Sequence, residues 1–520
     1  MNGAEAAMRT LVASGVDVCF ANPGTSEMHA VAALDAVPEM RGVLGLFEGV
    51  VTGAADGYGR MAGRPAATLL HLGPGMANGL ANLHNASKAR TGIVNLVGDH
   101  ATSHKHLDAP LESNIDAFAS TVSTWVRTPR RADDVGPAVA EAVTAATGRP
   151  AEIATVILRA DAAWTEGGRV AAARPGAPAF PVPDATIDAV AAALRGERSN
   201  RTGGVALLIG GDTLTAAGTE AAGRVAAATG AKLIVETFPA RIARGAGRVD
   251  PERLGYFAEQ ATAQLDGIDT LVLAGAVEPV SFFAYPGRPS KLAPPDADIV
   301  ALSRPGDDGV AALSALADLV AGDAPAPLAR LELRPARPTG ASSVATTAAA
   351  VAATLPENAI ICDESVSASA VFADATAHAA PHDWLRLTGG AIGDGLPMAV
   401  GAAVACPDRR VVALQADGSA MYTIQALWTM AREGLDVTVV MLSNRAYAIL
   451  NYEMRRVGAT GAGDRSGPLL SLDNPAIDAV ALATGFGVPA ERAVDAAHLA
   501  DLLERSYATP GPTLIDVPLA

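Results

Sequence analysis

The chain has 520 residues, of which 39 are Lys or Arg and 55 Asp or Glu, for a formal net charge of −16; half of it is hydrophobic and only 4% aromatic. That charge excludes a nucleic-acid partner. No apolar run reaches the length of a membrane span and no basic, then apolar leader opens the sequence, which excludes a membrane partner and points to the cytoplasm. The length predicts about three domains, with cores built from Ala, Val, Leu and Ile because aromatic residues are scarce.

In chain order, residues 1–170 read as a first α/β unit. Val16–Phe20 is a strand that runs into the turn Asn22-Pro23-Gly24-Thr25-Ser26-Glu27. A strand over Val43–Phe47 delivers Glu48 to a helix of small residues, Gly49–Met61. Ala66–His71 is a strand opening onto Gly73-Pro74-Gly75, Ile93–Val97 ends at Gly98-Asp99-His100, and Ile153–Arg159 closes the unit. Pro175–Pro183 is a linker by composition. Residues 184–330 form a middle α/β unit with strands near 205–209, 232–235, 270–274 and 298–302, and residues 340–520 a third, ending in the strand Thr513–Val517. The stretches 55–75 and 399–419 share an order of helix, polar turn, strand and Gly loop, a faint echo between the two outer units. Cys19, Cys362 and Cys406 are dispersed without metal-ligand spacing and read as buried thiols in a reducing compartment.

The most informative stretch is Gln415–Leu450. An apolar run, Val411–Leu414, stops at Ala416-Asp417-Gly418-Ser419. A helical pattern follows, and a second apolar run, Val437–Leu442, stops at Ser443-Asn444-Arg445. In a parallel βαβ unit both strand ends share one sheet edge, so Asp417 and Asn444 stand side by side. A carboxylate and an amide oxygen are hard ligands, and Mg²⁺ completes such a shell with phosphate oxygens and water. The N–H groups of Gly418 and Ser419 open a helix and can meet a phosphate. The stretch predicts a metal-bridged diphosphate.

An acidic-Gly-Ser turn, a helix, a strand and an Asn resemble the signature of thiamin diphosphate enzymes of the acetolactate synthase and benzoylformate decarboxylase-like group. The resemblance implies Mg²⁺ held by Asp417, Asn444 and the carbonyl of Ala446. It implies cofactor contacts from Gly418, Ser419, Tyr447 and Ile449, from Gly390 and Ile392 in the loop Gly389–Gly395, and from Ser365 and Ser367 in the turn after Ala359–Cys362. Ala416 and Ser443 depart from the family's Gly and first Asn without removing a ligand. Glu48, at the end of an apolar stretch, reads either as a helix cap or as a carboxyl of raised pKa. By resemblance it meets N1′ of the aminopyrimidine, so that N4′ can take the thiazolium C2 proton.

On the substrate side, the resemblance aligns His71 and Thr25 with an active-site His and Ser. His100, His104 and His106 lie in a loop bordering the same pocket, as a proton shuttle or a solvated loop rather than a metal cluster, since no fourth ligand is at hand. Leu450 stands where pyruvate decarboxylases carry a Glu, and Val280–Ala284 lacks the benzoylformate decarboxylase His. Gly210-Gly211-Asp212 is too common a turn to predict a flavin. The expectation is an α/β fold of three doubly wound parallel-sheet domains: pyrimidine-binding, middle and diphosphate-binding. Its activity is expected to be a thiamin diphosphate- and Mg²⁺-dependent decarboxylase or lyase of a 2-oxo acid, an apolar or bulky one in preference to pyruvate, with carboligation beside it. Alternatives are an acetolactate synthase-like carboligase and a non-catalytic cofactor-binding paralogue. The resemblance further implies a homodimer or homotetramer with sites shared between subunits.

Overall fold

The computed structural model describes residues 1–196, 203–459 and 461–519. Among the described residues, 18 strands form three sheets. The first sheet holds β1 (Val18–Asn22), β2 (Arg41–Leu44), β3 (Ala66–Leu70), β4 (Ile93–Asp99), β5 (Trp125–Arg127) and β6 (Ile153–Arg159), in the order β2-β1-β3-β4-β6-β5 and wholly parallel. Alternate residues of β1 serve different cores. Val18 and Phe20 join one, Cys19 and Ala21 the other, so this sheet is covered on both faces as a parallel sheet must be.

The middle stretch supplies β7 (Gly204–Ile209), β8 (Lys232–Val235), β9 (Arg241–Arg244), β10 (Glu252–Arg253), β11 (Ile268–Ala274) and β12 (Asp298–Ser303). Five of these make the parallel sheet β10-β8-β7-β11-β12. The sixth, β9, leaves it and pairs antiparallel with β14 (His382–Arg386) at the edge of the third sheet. Neither strand is legible in the sequence, because both mix charged and apolar residues without alternation.

The third sheet also contains β13 (Ala359–Glu364), β15 (Val411–Ala416), β16 (Val437–Ser443), β17 (Ala490–Arg492) and β18 (Thr513–Pro518), ordered β17-β18-β16-β15-β13-β14-β9. One face of β13, β15 and β16 shares a core with the first sheet, and the opposite face shares a core with the middle sheet. The three units are thus welded through the third.

Two helices make the first of these joints: α1 (Glu48–Ala62), which precedes β3, and α3 (Gly395–Ala405), which precedes β15. Between them in the chain, α2 (Leu72–Ala89) follows β3. The echo between residues 55–75 and 399–419 has a physical counterpart here. A Cβ at Gly57 would lie 2.1 Å from the Met398 carbonyl oxygen, and one at Gly401 only 1.9 Å from that of Ala54. Each helix therefore presents a glycine to the other's backbone. Beneath this contact lies a buried charge cluster. Arg60 donates to Asp56 (2.9 Å from Nε) and to the Arg386 carbonyl (2.6 Å), and Asp394 sits 3.9 Å from its guanidinium. Both Asp394 carboxyl oxygens lack a hydrogen-bond partner, and burial followed by the Asp56 charge pushes this group well above the usual carboxylate range.

Cys19 and Cys362 are buried and Cys406 half-buried, all as free thiols, and burial pushes Cys19 up to about 12. Among the described residues no helix is long and apolar enough to cross a membrane.

Candidate active site

The strand expected over Val43–Phe47 stops at Leu44, and residues 45–47 form a short connector. Phe47, in an extended conformation, is the N-cap, with its carbonyl accepting from Val50 (2.9 Å) and Val51 (3.2 Å). Glu48 is therefore the first helical residue of α1 rather than a cap, where a carboxylate suits the positive end of the helix dipole. It is 7% exposed, and its Oε2 accepts from Asn78 Nδ2 on α2 at 3.0 Å. A Cβ on Gly75 would lie 3.1 Å from Glu48 Oε1 and 3.3 Å from His71 Cβ, so the structure does bring Glu48 and His71 together around the turn that opens α2.

His71 is the N-cap of α2. Its Nδ1 lies 2.8 Å from Glu27 Oε2 and 3.2 Å from Ser26 Oγ. Glu27 is almost fully buried and is itself fixed by the Gly24 N–H (2.8 Å) and the Ser26 hydroxyl (2.7 Å). Thr25 is exposed, and it is Ser26 whose hydroxyl reaches His71. Glu27 and Ser26 went unassigned in the sequence, where only their place in the turn Asn22–Glu27 marked them. Residues 25–27 form a single 3₁₀ turn, whose three side chains point in different directions, and the sequence alone does not say which faces inward.

In the loop bordering this region, the His100 and His104 rings are 5.4 Å apart, while His104 and His106 are exposed. The polar anchor there is Lys105, 2.8 Å from both Asp99 and Glu112. No group of three or more His, Cys, Asp or Glu able to hold a metal occurs among the described residues.

In the third domain β15 and β16 are adjacent and parallel, Ala416 opposite Leu442, so both strand ends meet at one edge. A short helix, Asp417–Ala420, begins at the end of β15. Asp417 Oδ1 accepts from the Gly418 N–H (2.8 Å) and Oδ2 from the Arg445 N–H (2.7 Å), which joins the two turns directly. Arg445 holds the left-handed φ of +56° that this reversal requires. Asn444 Oδ1 accepts from Ala446 N–H at 3.0 Å. Burial raises the Asp417 pKa. Tyr447 covers Gly418, whose added Cβ would meet its ring at 2.6 Å. Ile449 is half-buried and Leu450 exposed at the start of α4 (Ala448–Arg456).

Loop 389–395 owes its shape to Gly390 (φ +78°) and Gly393 (φ +96°). Buried Glu364 accepts from the N–H groups of Gly393 (2.6 Å), Asp394 (3.3 Å) and Gly395 (2.9 Å) and from Gln415 Nε2 (2.9 Å). Gln415 Nε2 also lies 2.7 Å from the Ser419 hydroxyl. The loop and the 417–419 turn are therefore tied through one carboxylate, whose pKa burial raises. From the first domain, Asn82 donates to the Gly393 carbonyl (3.1 Å) and Asn85 to that of Ala391 (2.8 Å). Gly390 is exposed and Ile392 half-buried. Ser365 is buried and spends its hydroxyl on Asp363 (2.6 Å), whereas Ser367 is exposed. Glu364 and Gln415 are polar residues at the ends of otherwise apolar strands, and that contrast was the available signal for them.

The oxygen donors at 417, 444 and 446, the helix opening at Gly418 and the bare Gly390 fit a metal-bridged diphosphate with its attached rings. The hydrogen-bond partners of the Glu48 and His71 side chains all lie in the first domain, and those of Asp417 and Asn444 in the third.

The chain is similar to known proteins over its whole length. Residues 1–120 match the N-terminal, and residues 366–517 the C-terminal, TPP binding domain of thiamine pyrophosphate enzymes. The chain is 57% identical over 521 residues to a Mycobacterium tuberculosis protein bearing the provisional name acetolactate synthase large subunit IlvX, covering 99% of each. It is 31% identical to the benzoylformate decarboxylase of Pseudomonas aeruginosa, covering 97% of this chain and 96% of that one. In fold it is similar to a Rhodococcus jostii thiamine diphosphate-dependent 4-hydroxybenzoylformate decarboxylase (TM-score 0.86, 24% identity, 100% and 99% of the chains covered). It is likewise similar to the benzoylformate decarboxylase of Polynucleobacter necessarius (TM-score 0.83, 21% identity, the same coverage).

Proposed function

Because the chain belongs to the thiamine pyrophosphate enzyme family, we propose that it is a Mg²⁺-dependent decarboxylase or lyase of a 2-oxo acid, with its pyrimidine-binding, middle and diphosphate-binding domains over residues 1–170, 184–330 and 340–520. The observation that carries the reading is the bond from the Arg445 N–H to Asp417, which joins the turn that carries Asp417 to the turn that carries Asn444 and Ala446. These three groups would hold the metal, and Gly418 and Ser419, with Ser367 across the edge, the diphosphate; Ser365, expected there from the sequence, has both its hydroxyl and its N–H committed to Asp363. Tyr447, Ile449, Ile392 and the Gly390 carbonyl would line the ring system.

Bound there, thiamin diphosphate supplies the electron sink that lets a 2-oxo acid lose CO₂. The chain's own part is proton handling and exclusion of water. Glu48, held by Asn78 in a buried setting, keeps a proton at the pyrimidine N1′. His71 moves a proton at the substrate carbon, with Glu27 fixing its ring, and Thr25 lines the entrance. Ile449 and Leu450 present only apolar surface.

A second reading is favoured by Leu450. A chain with no carboxylate at that position to deliver a proton would leave a second carbonyl compound time to react in place of the proton, as in an acetolactate synthase-like carboligase. A non-catalytic paralogue is disfavoured, since Glu48 would not need its buried, hydrogen-bonded setting. The test is to reconstitute the protein with thiamin diphosphate and Mg²⁺ and screen CO₂ release and carbon–carbon bond formation with pyruvate, phenylglyoxylate and branched 2-oxo acids. Release of CO₂ that is abolished by chelation is expected. No turnover by a fully loaded protein would refute the reading.

A further inference from the structure

Asp394 stands in loop 389–395 as the N-cap of α3, fully buried, and among the described residues neither of its carboxyl oxygens has a hydrogen-bond partner. Its neighbours have no donor left to offer. An arginine carries five N–H groups. Arg60 spends them on both Asp56 oxygens, on the carbonyls of Arg386 (2.6 Å) and Ala240 (3.3 Å), and on the Thr388 hydroxyl (3.2 Å). The Asn82 amide shares the bare face of Gly53 with Asp394 Oδ1, yet its hydrogens go to the carbonyls of Gly49 (2.8 Å) and Gly393 (3.1 Å). A bare carboxylate is not tolerated in such a place, whereas the neutral acid is.

The charged and titratable groups packed around Asp394 are Asp56 and Arg60 on α1 and Cys362 and Glu364 on β13. Asp56 already balances Arg60, and burial pushes the Cys362 thiol up, so it stays neutral. Glu364 accepts from four N–H groups, a setting for a carboxylate, so a proton shared between Glu364 and Asp394 belongs on Asp394. His84 and Tyr422 are exposed and meet the loop from outside, at Gly389 and Gly393. Ionising Asp394 would set a third negative charge beside Asp56 and Glu364 against one guanidinium. Relief lies through the loop. Asp394 sits between Gly393 and Gly395, whose N–H groups hold Glu364, and turning its carboxylate out to water breaks those bonds. The same movement displaces Ile392 and the Gly390 carbonyl.

We propose that Asp394 is a positioning residue that carries a proton, and that this uncharged form holds loop 389–395 in the shape that receives the cofactor. Losing the proton opens the loop, so the site is weakened as pH rises. The part that concerns the cofactor rests on the function proposed above; the part that concerns the loop does not.

The test compares the native protein with Asp394→Asn, which keeps the shape of the acid form and cannot ionise. Hydrogen exchange of the peptide covering residues 389–396 would be followed by mass spectrometry from about pH 5 to about pH 9. The ratio of native to variant rates cancels the chemistry of exchange itself. It should climb with pH, by up to about tenfold per pH unit, and level off once Asp394 ionises in the folded protein. Asp394→Ser, also neutral, should show the same climb and serves if the Asn variant does not fold. Over the same range the Kd for thiamin diphosphate with Mg²⁺, by calorimetry, should weaken in the native protein relative to Asp394→Asn. A constant exchange ratio would overturn the proposal. So would faster exchange in both variants than in the native protein at every pH, which would make the charged carboxylate the brace. A climbing exchange ratio with a constant Kd ratio would overturn the link to the cofactor. If neither protein binds thiamin diphosphate at any pH, the function proposed above fails, and loop exchange alone decides whether Asp394 holds the loop by its proton.

Discussion

Glu48 Oε2 is held by Asn78 while Oε1 faces the backbone of Gly75, an arrangement that leaves one oxygen for a ligand. Glu48→Gln keeps the shape and one acceptor but cannot exchange a proton. It should bind thiamin diphosphate within a few fold of the native protein and slow hydrogen exchange at C2 of the bound cofactor by about 10²–10⁴, measured by quenched-flow NMR in D₂O; unchanged exchange would remove Glu48 from the mechanism. Asp417 differs because both of its oxygens also brace the turns at 418 and 445. Asp417→Ala should therefore lose cofactor on gel filtration even at millimolar Mg²⁺, and retention after chelation would refute the metal assignment. His71→Ala should lower kcat more than it raises KM, since Glu27 and Ser26 hold the ring for proton transfer and not for substrate binding. The Asp417–Asn444 pair was legible in the sequence because strand ends in a βαβ unit fix their own neighbourhood. Glu27 and Glu364 were not, since their roles come from chain segments 44 and 29 residues away.

Among the elements, the contact of α1 with α3 admits no side chain at Gly57 or Gly401, because what each glycine meets is backbone. Gly401→Ala should cost about 3 kcal/mol or prevent folding, whereas Gly485→Ala, with nothing within 4 Å, should leave the urea midpoint nearly unchanged. The strong apolar runs at β3, β4, β6, β13, β15, β16 and β18 were legible because strands buried on both faces are apolar throughout. The edge pair β9–β14 was not, its sequence being set by charge pairing across domains: Arg241 meets Asp383 (2.8 Å) and also donates to the Arg60 carbonyl (3.1 Å). His382 opens β14, with Nδ1 2.8 Å from the Ala380 carbonyl and Nε2 buried without a partner. Burial lowers its pKa to about 4, reinforced by the Arg244 charge. The folded state thus disfavours the protonated ring. Its stabilising effect is complete above the unfolded pKa near 6.5 and is lost as pH falls from there toward 4, on the order of 3 kcal/mol in all. Thermal melts of the native protein should therefore fall across that window more steeply than those of His382→Gln. Parallel curves would show that His382 does not titrate on unfolding.

Across the whole molecule, the third domain shares one continuous core with the first and another with the middle, so a single chain is a rigid unit. Yet among the described residues the Glu48 and Asp417 side chains each find their hydrogen-bond partners in their own domain. Two rigid half-sites on one body complete each other most simply through a two-fold axis, where the Glu48 half of one subunit meets the Asp417 half of another. On the function proposed above, a homodimer is the smallest active species expected, and pairing of dimers would give a tetramer. Glu48→Gln and Asp417→Ala proteins, each inactive alone, should regain activity when dissociated, mixed and reassembled. With random reassembly in equal amounts, half of the dimers are hybrids, and each hybrid carries one intact site and one doubly altered one. The mixture should then reach about one quarter of native activity. A mixture that stays inactive although mass spectrometry shows hybrid dimers would place both halves of the site within one chain.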